Sequence, residues 1–234
     1  MVTSNILASY ALGAVSGTEY ACAQPVALTA IDIALEPDQT MIKHAHAANA
    51  VLLENFPKGY ALDATHRAHV SMFSGYVPTA DLPKVYAAAE TVFKTEKYTT
   101  WKLTAFKYYY IPLGYLGLAG IVVKPTPDLL RLQSELHEAV GPYMVKNGTA
   151  AAFYTTREEP DILPALIPAV GVYWEDNGGA KFNPHITTGI GTKAFLDAVL
   201  AKPFPTFTFS PASASVYQFG NYGTARKALK QFPG

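Results

Sequence analysis

Only one cysteine, Cys22, occurs in 234 residues. No intrachain disulfide can form, and no cysteine-based metal site can be built. Charge of either sign is scarce. Lys and Arg together match Asp and Glu at 18 each, so the formal net charge is zero. A chain without a basic field does not hold long nucleic acid by phosphate neutralisation. A small or short substrate fits better than a duplex. Beyond the N-terminal stretch, no run is long and apolar enough to span a membrane. No G-x-G-x-x-G or Walker-type loop follows any strand, and "GNYGTARK" (220–227) is too irregular to replace one. No H-E-x-x-H or equivalent offers the ligands of a zinc site.

Half of the residues are hydrophobic, which is the composition of a globular chain. Its length suits one large domain or two intimate lobes. Fifteen tyrosines and twelve phenylalanines exceed what a minimal core needs, which leaves some to line a cleft. The first 24 residues read differently from the rest. A short apolar run, Ile6 to Val15, leads to Ala21-Cys22-Ala23, an A-x-A-like site, yet no Lys or Arg precedes the run. Two readings stand: a secretory signal cleaved after Ala23, or a poorly ordered leader before a mis-set start. The first places the mature chain in the periplasm or outside the cell, the second in the cytoplasm.

From residue 25 onward, strand and helix patterns alternate. "PVALTAIDIALEP" (25–37) reads as a strand, and Asp38 or Thr40 can cap a helix running to about Phe56. "THRAHVSMF" (65–73), 101–112 and 116–125 read as strands, and 79–93 as a helix. The clearest helix is 126–141: Thr126 can cap it, Pro127 fits its first turn, Asp128 complements its dipole and Gly141 can close it. The stretch 142–181 is proline-punctuated and irregular. A strand at 182–191, a short helix at 192–201, and two strands with a basic tail over 204–229 complete the chain. Several strands adjoin without a helix between them. This favours an α+β fold with a mixed or antiparallel sheet over a doubly wound parallel one.

Two of the strands carry the same grammar. "HVS" (69–71) and "HIT" (185–187) each read histidine, apolar, hydroxyl. Residues two apart on a strand share a face. Arg67, His69 and Ser71 therefore form one row, and Lys181, Asn183, His185 and Thr187 another. With six histidines, roughly one such triplet is expected by chance. The shared context argues for more: both lie on expected strands, follow a turn and precede a helix. A cation beside each imidazole would also disfavour its charged form. The other histidines read otherwise. His66, on the face opposite His69, reads as structural, His44 and His46 as a solvated helix pair, and His137 as a helix-surface residue. Tyr109, sharing a face with Lys107 and Ala105, is a candidate to stack a base or sugar.

The paired motifs, His69-Val70-Ser71-Met72 and His185-Ile186-Thr187-Thr188, resemble those of the 2H phosphoesterase superfamily, which includes 2′-5′ RNA ligase-like proteins and 2′,3′-cyclic nucleotide phosphodiesterases. The resemblance spans about residues 25–229 in element order. It implies two pseudo-symmetric lobes with helices packed outside and a central cleft carrying both His-x-Ser/Thr strands. Residues 25–234 then form one bilobed domain, with the proline-rich 155–180 as an insertion. It further implies a phosphodiesterase acting on 2′,3′-cyclic or 2′-5′-linked ribonucleotides without metal or cofactor, with ligase-like joining as its reverse. His69 and His185 become the acid–base pair. Ser71 and Thr187 become phosphate donors, and Arg67, Tyr109 and Lys181 candidate substrate contacts. The partner would be a small nucleotide or an RNA terminus, with neither duplex nor membrane, and the protein a monomer. Imidazole titrates where such chemistry needs an acid and a base, each worth about 10²–10⁴-fold. The alternative is a cleft that binds nucleotide or phosphate without turnover.

Overall fold

Ala30 to Leu35 lie buried in one strand, β1 (Leu28–Pro37), and the apolar run breaks at Pro37-Asp38. The computed structural model describes residues 26–234; both readings of residues 1–24 fall outside them. Asp38 caps α1 (Gln39–Asn55) by accepting from the amides of Thr40 and Met41, which satisfies two of the orphan donors at a helix start. The chain continues through β2 (Val70–Pro78), α2 (Leu82–Thr95), β3 (Leu103–Leu113), β4 (Leu116–Val123) and α3 (Pro127–Val140). Thr126 caps α3 as expected, accepting from the Leu129 amide at 3.2 Å. Two short helices, α4 (Leu166–Gly171) and α5 (Tyr173–Asn177), occupy the proline-punctuated stretch. There follow β5 (His185–Thr192), α6 (Lys193–Leu200), β6 (Phe207–Phe209), β7 (Pro211–Phe219) and β8 (Ala225–Pro233).

The strands form two four-stranded sheets, β2-β1-β7-β8 and β5-β4-β3-β6. Among the described residues every strand pairing is antiparallel, and the fold is α+β. In each sheet the strand that begins at or directly after a motif histidine is an edge, and edge β2 of one sheet meets edge β5 of the other. The helices cross between the halves. α1, from the β1–β2 connection, packs on β5 of the other sheet, while α3, from the β4–β5 connection, packs on β2. One continuous apolar core results, running from Ile31 and Met72 to Ile121, Leu132 and Ile186. Asn49 on α1 is the polar tie across it. Its buried amide donates to the carbonyls of Tyr60 and Thr188, each at 2.9 Å, and accepts from the Leu62 amide at 2.9 Å.

Four local expectations need correction. The strand expected from 65 begins at Val70; Arg67 and His69 precede it, and only Arg67 makes a bridge, to Ala225. The row Lys181–Asn183–His185 is broken, because Gly179–Lys181 is a 3-10 turn and β5 starts at His185. A bulge at Phe106 shifts the β3 register, so Lys107 is exposed while Ala105 is buried. An extra residue in a bulge reverses which face the following side chains use. The basic tail is a third strand, β8, paired along β7.

Candidate active site

His69 ends the loop into β2, and His185 opens β5 directly after Pro184. The two imidazoles are held by the same device. His69 Nδ1 lies 2.7 Å from the Arg67 carbonyl, and His185 Nδ1 lies 2.7 Å from the Asn183 carbonyl. A carbonyl can only accept, so each Nδ1 carries a hydrogen and donates it. Each ring thus keeps Nε2 for other partners. Both histidines line one cavity of about 190 Å³, with Ser71, Ser74, Asn183 and Thr187 as further polar walls. Leu118, Val170, Tyr173, Phe182 and Phe219 supply much of the rest. Among the described residues no Lys or Arg lines it.

The surroundings of the two rings differ. Beside His69 stands Asp32, fully buried in the middle of β1, with Oδ2 at 3.3 Å from His69 Nε2. Ser74 Oγ donates to Asp32 Oδ1 at 3.0 Å and Ser71 Oγ to Oδ2 at 3.1 Å. Burial holds the Asp32 carboxyl above the ordinary carboxylate range, against the opposing pull of His69, Ser74 and Ser71. Beside His185 stands an aromatic edge. The Tyr109 ring lies 4.7 Å from the imidazole, edge to face. Gly120 makes this approach possible: a Cβ there would come within 2.6 Å of the Tyr109 ring and 2.9 Å of the Ile186 carbonyl. Burial pushes the His185 imidazole down to about 4; its bond to Asn183 opposes this and the charge of His69 adds to it.

The remaining candidates distribute unevenly. Ser71 lines the cavity, but its hydroxyl is engaged by Asp32. Thr187 lines it too, and among the described residues its hydroxyl has no hydrogen-bond partner. Tyr109 touches the cavity through His185 and is not part of its wall; burial raises its phenol far above the ordinary value. Arg67 turns to Glu36 at 3.7 Å, and Lys181 donates to the Glu175 carbonyl. Neither lines the cavity, so the cations expected beside the imidazoles are not there. The low value at His185 has burial as its cause instead.

Outside the site, His66 is buried among Tyr60, Glu159 and Arg226, a structural setting. His44 and His46 are exposed on α1. His137 is not a free surface residue: its ring stacks on Trp174 at 3.8 Å and packs against Phe73. Asp32 was not singled out in the sequence, although one signal was present. It is the only charged residue in "LTAIDIALEP" that falls inside the apolar run, and a carboxylate there needs a partner.

No protein-family model and no curated protein matches the chain. Solved structures do match. A Thermus thermophilus protein, TT0787, superposes with a TM-score of 0.53 at 16% identity, over 88% of this chain and 97% of that one. At this identity the likeness is one of fold, and the chain shares the fold of that protein. E. coli LigT complexed with 3′-AMP gives a TM-score of 0.49 at 14% identity, over 88% and 97% of the two chains. Kluyveromyces marxianus Usb1 gives 0.42 at 8%, over 89% and 98%. In this fold the start of edge strand β5 and the loop into edge strand β2 bring His185 and His69 to one cavity.

Proposed function

We propose that this chain is a 2H-type phosphodiesterase in which His69 and His185 act on one phosphate from two sides. The observation that carries this reading is the pair of imidazoles lining one cavity, each with Nδ1 fixed by a carbonyl. His185, neutral down to about pH 4, suits the base: its Nε2 takes a proton from the attacking water. His69 suits the acid, giving a proton to the departing sugar oxygen. The hydroxyl of Thr187 is free to donate to a non-bridging phosphate oxygen, where charge develops. Joining of a terminus to a hydroxyl is the same route run backwards.

The cavity wall supports a small substrate. With no Lys or Arg on it among the described residues, additional phosphates find no counter-charge there. Its apolar and aromatic faces suit a nucleoside carrying a single phosphodiester, such as a 2′,3′-cyclic nucleotide or a short 2′-5′-linked unit. The same wall weighs against a cleft that only stores nucleotide, since tight phosphate binding relies on Arg, Lys or a helix N-terminus. The test is turnover of 2′,3′-cyclic nucleotides and 2′-5′ dinucleotides with chelator present. Hydrolysis that persists with chelator and is lost in His185→Ala is the expected result. Binding without turnover across the panel overturns the enzymatic reading, and loss of turnover on chelation overturns the metal-free one.

A further inference from the structure

Asp32 is a costly residue to place where it is. A fully buried carboxylate in the middle of a strand carries a desolvation penalty of several kcal/mol unless it is paired and hydrogen-bonded. Among the described residues its one ionic neighbour is His69. Both of its oxygens are held by hydroxyl donors from β2, Ser74 on one and Ser71 on the other. The His69 ring cannot rotate away, because Nδ1 is tied to the Arg67 carbonyl. An unprotonated Nε2 would therefore turn its lone pair toward a neighbourhood containing a carboxylate at 3.3 Å. A proton on Nε2 removes that repulsion. His185 has the same backbone tie, and among the described residues it forms no ion pair with a carboxylate. The difference between the two rings is thus built into β1, which carries Asp32 to the His69 side alone.

Resting on the reading of His69 and His185 as an acid–base pair, we propose that Asp32 is the positioning residue that makes His69 the proton donor. Its carboxylate keeps a proton on His69 Nε2 and so assigns the base to His185. In hydrolysis the water oxygen bonds to phosphorus as its proton passes to His185 Nε2. The bond from phosphorus to the sugar oxygen breaks, and that oxygen takes the proton from His69 Nε2. The role requires Asp32 to stay ionised, which a protonated His69 and the donors Ser71 and Ser74 favour against the burial that raises its carboxyl. The groups facing the pair come from several elements. Ser71 and Ser74 approach from β2, and Tyr173 from α5, with its hydroxyl donating to the Ser71 carbonyl. The Tyr217 ring stands 6.5 Å away on β7, its hydroxyl occupied by Glu36, which also meets Arg67. His185 faces the pair from β5. Burial and the nearby Asp32 raise the Tyr173 phenol, so it stays neutral and does not compete for the role.

The test compares wild type with Asp32→Asn, which preserves shape and an acceptor for one serine. Side-chain nitrogen NMR of the ligand-free protein at neutral pH reads the ring directly. Both His69 nitrogens are expected to carry protons in wild type, and Asp32→Asn is expected to lose the one on Nε2 while the His185 signals stay in place. In parallel, kcat/KM against pH is measured for a 2′,3′-cyclic nucleotide and for bis(p-nitrophenyl) phosphate, whose leaving group needs no acid. Asp32→Asn should lose at least about tenfold on the cyclic nucleotide, with its alkaline limb moved to lower pH, and lose little on the nitrophenyl ester. Equal loss on both substrates, or an unchanged His69 spectrum, overturns the proposal. If Asp32→Asn does not fold, Ser71→Ala serves instead. It removes one donor from the carboxylate and should move the alkaline limb, and an unmoved limb counts against the proposal. Should no phosphodiester be turned over, the enzymatic reading fails while the ring spectra still decide the role of Asp32.

Discussion

The two halves of the site repeat one sequence pattern and one backbone tie, yet they surround their imidazoles with different groups. On the β2 side, a buried carboxylate and two serine hydroxyls surround His69. On the β5 side, His185 meets a tyrosine ring edge and a threonine whose hydroxyl is free among the described residues. A repeated motif thus sets where the rings sit, and the strand behind each ring sets what surrounds it; on the proposed reading, that is what separates acid from base. Two identical half-sites would both be acids or both be bases, and neither arrangement completes a proton relay across one phosphate.

The largest break in this comparison comes from deleting either ring. His69→Ala and His185→Ala should each lower kcat/KM by about 10²–10⁴-fold or more. The double variant should fall little further, because the two groups act as a unit. A double loss equal to the product of the singles would mean that the rings work independently.

Next come the hydroxyls, which the motif treats as equivalent and the structure does not. Thr187→Val should lose about 10–100-fold, the worth of one hydrogen bond to a charged group, and leave the pH profile in place. Ser71→Ala should move the alkaline limb instead. Parallel pH–rate curves for the two variants, differing only in height, would erase the distinction.

The acid limb of the wild-type kcat/KM profile should fall near pH 4, where His185 takes up its proton, well below the free imidazole value of about 6.5. Tyr109→Ala lets water reach the ring and should carry that limb upward. An acid limb that already stands near the free value in wild type would remove burial as the cause.

The same low value has a smaller consequence for stability. The unfolded chain binds a proton on this histidine below about pH 6.5, whereas the folded chain does so only near 4. Folding stability should therefore fall as pH drops through that window. His185→Gln should flatten this part of the curve in urea denaturation at a series of pH values. An equal slope in both proteins would show that the window belongs to other groups.

Smallest of all are Arg67→Ala and Lys181→Ala. Each cation is engaged away from the cavity, Arg67 with the Glu36 carboxylate and Lys181 with the Glu175 carbonyl, and a surface ion pair is worth about 1 kcal/mol or less. Their kcat/KM values should stay close to wild type, and a large rise in KM would place them back among the substrate contacts.

Much of this arrangement was legible in the residues. The caps at Asp38 and Thr126 and the paired His-x-Ser/Thr triplets depend on local chemistry, and the structure has the helices starting at those caps. What failed was the reach of simple alternation. A turn ending at Lys181, a late start of β2 and a bulge at Phe106 each changed which side chains share a face. Asp32 escaped notice for another reason. Its partner His69 lies far along the chain, just before β2, so nothing adjacent in sequence announces the pairing, and the antiparallel register of β1 with β2, which sets Asp32 opposite Ser74, brings them together.

Asn49 reaches in two directions at once: to Tyr60 and Leu62, in the loop that leads to His69, and to Thr188, three residues past His185. One side-chain amide therefore links the segments that carry both rings, and breaking its bonds would release the two together. Hydrogen exchange at the Leu62 amide should then report the opening of the whole cleft, with the start of β5 becoming labile in the same event. The two halves, distant in the chain, would breathe as a single cooperative unit.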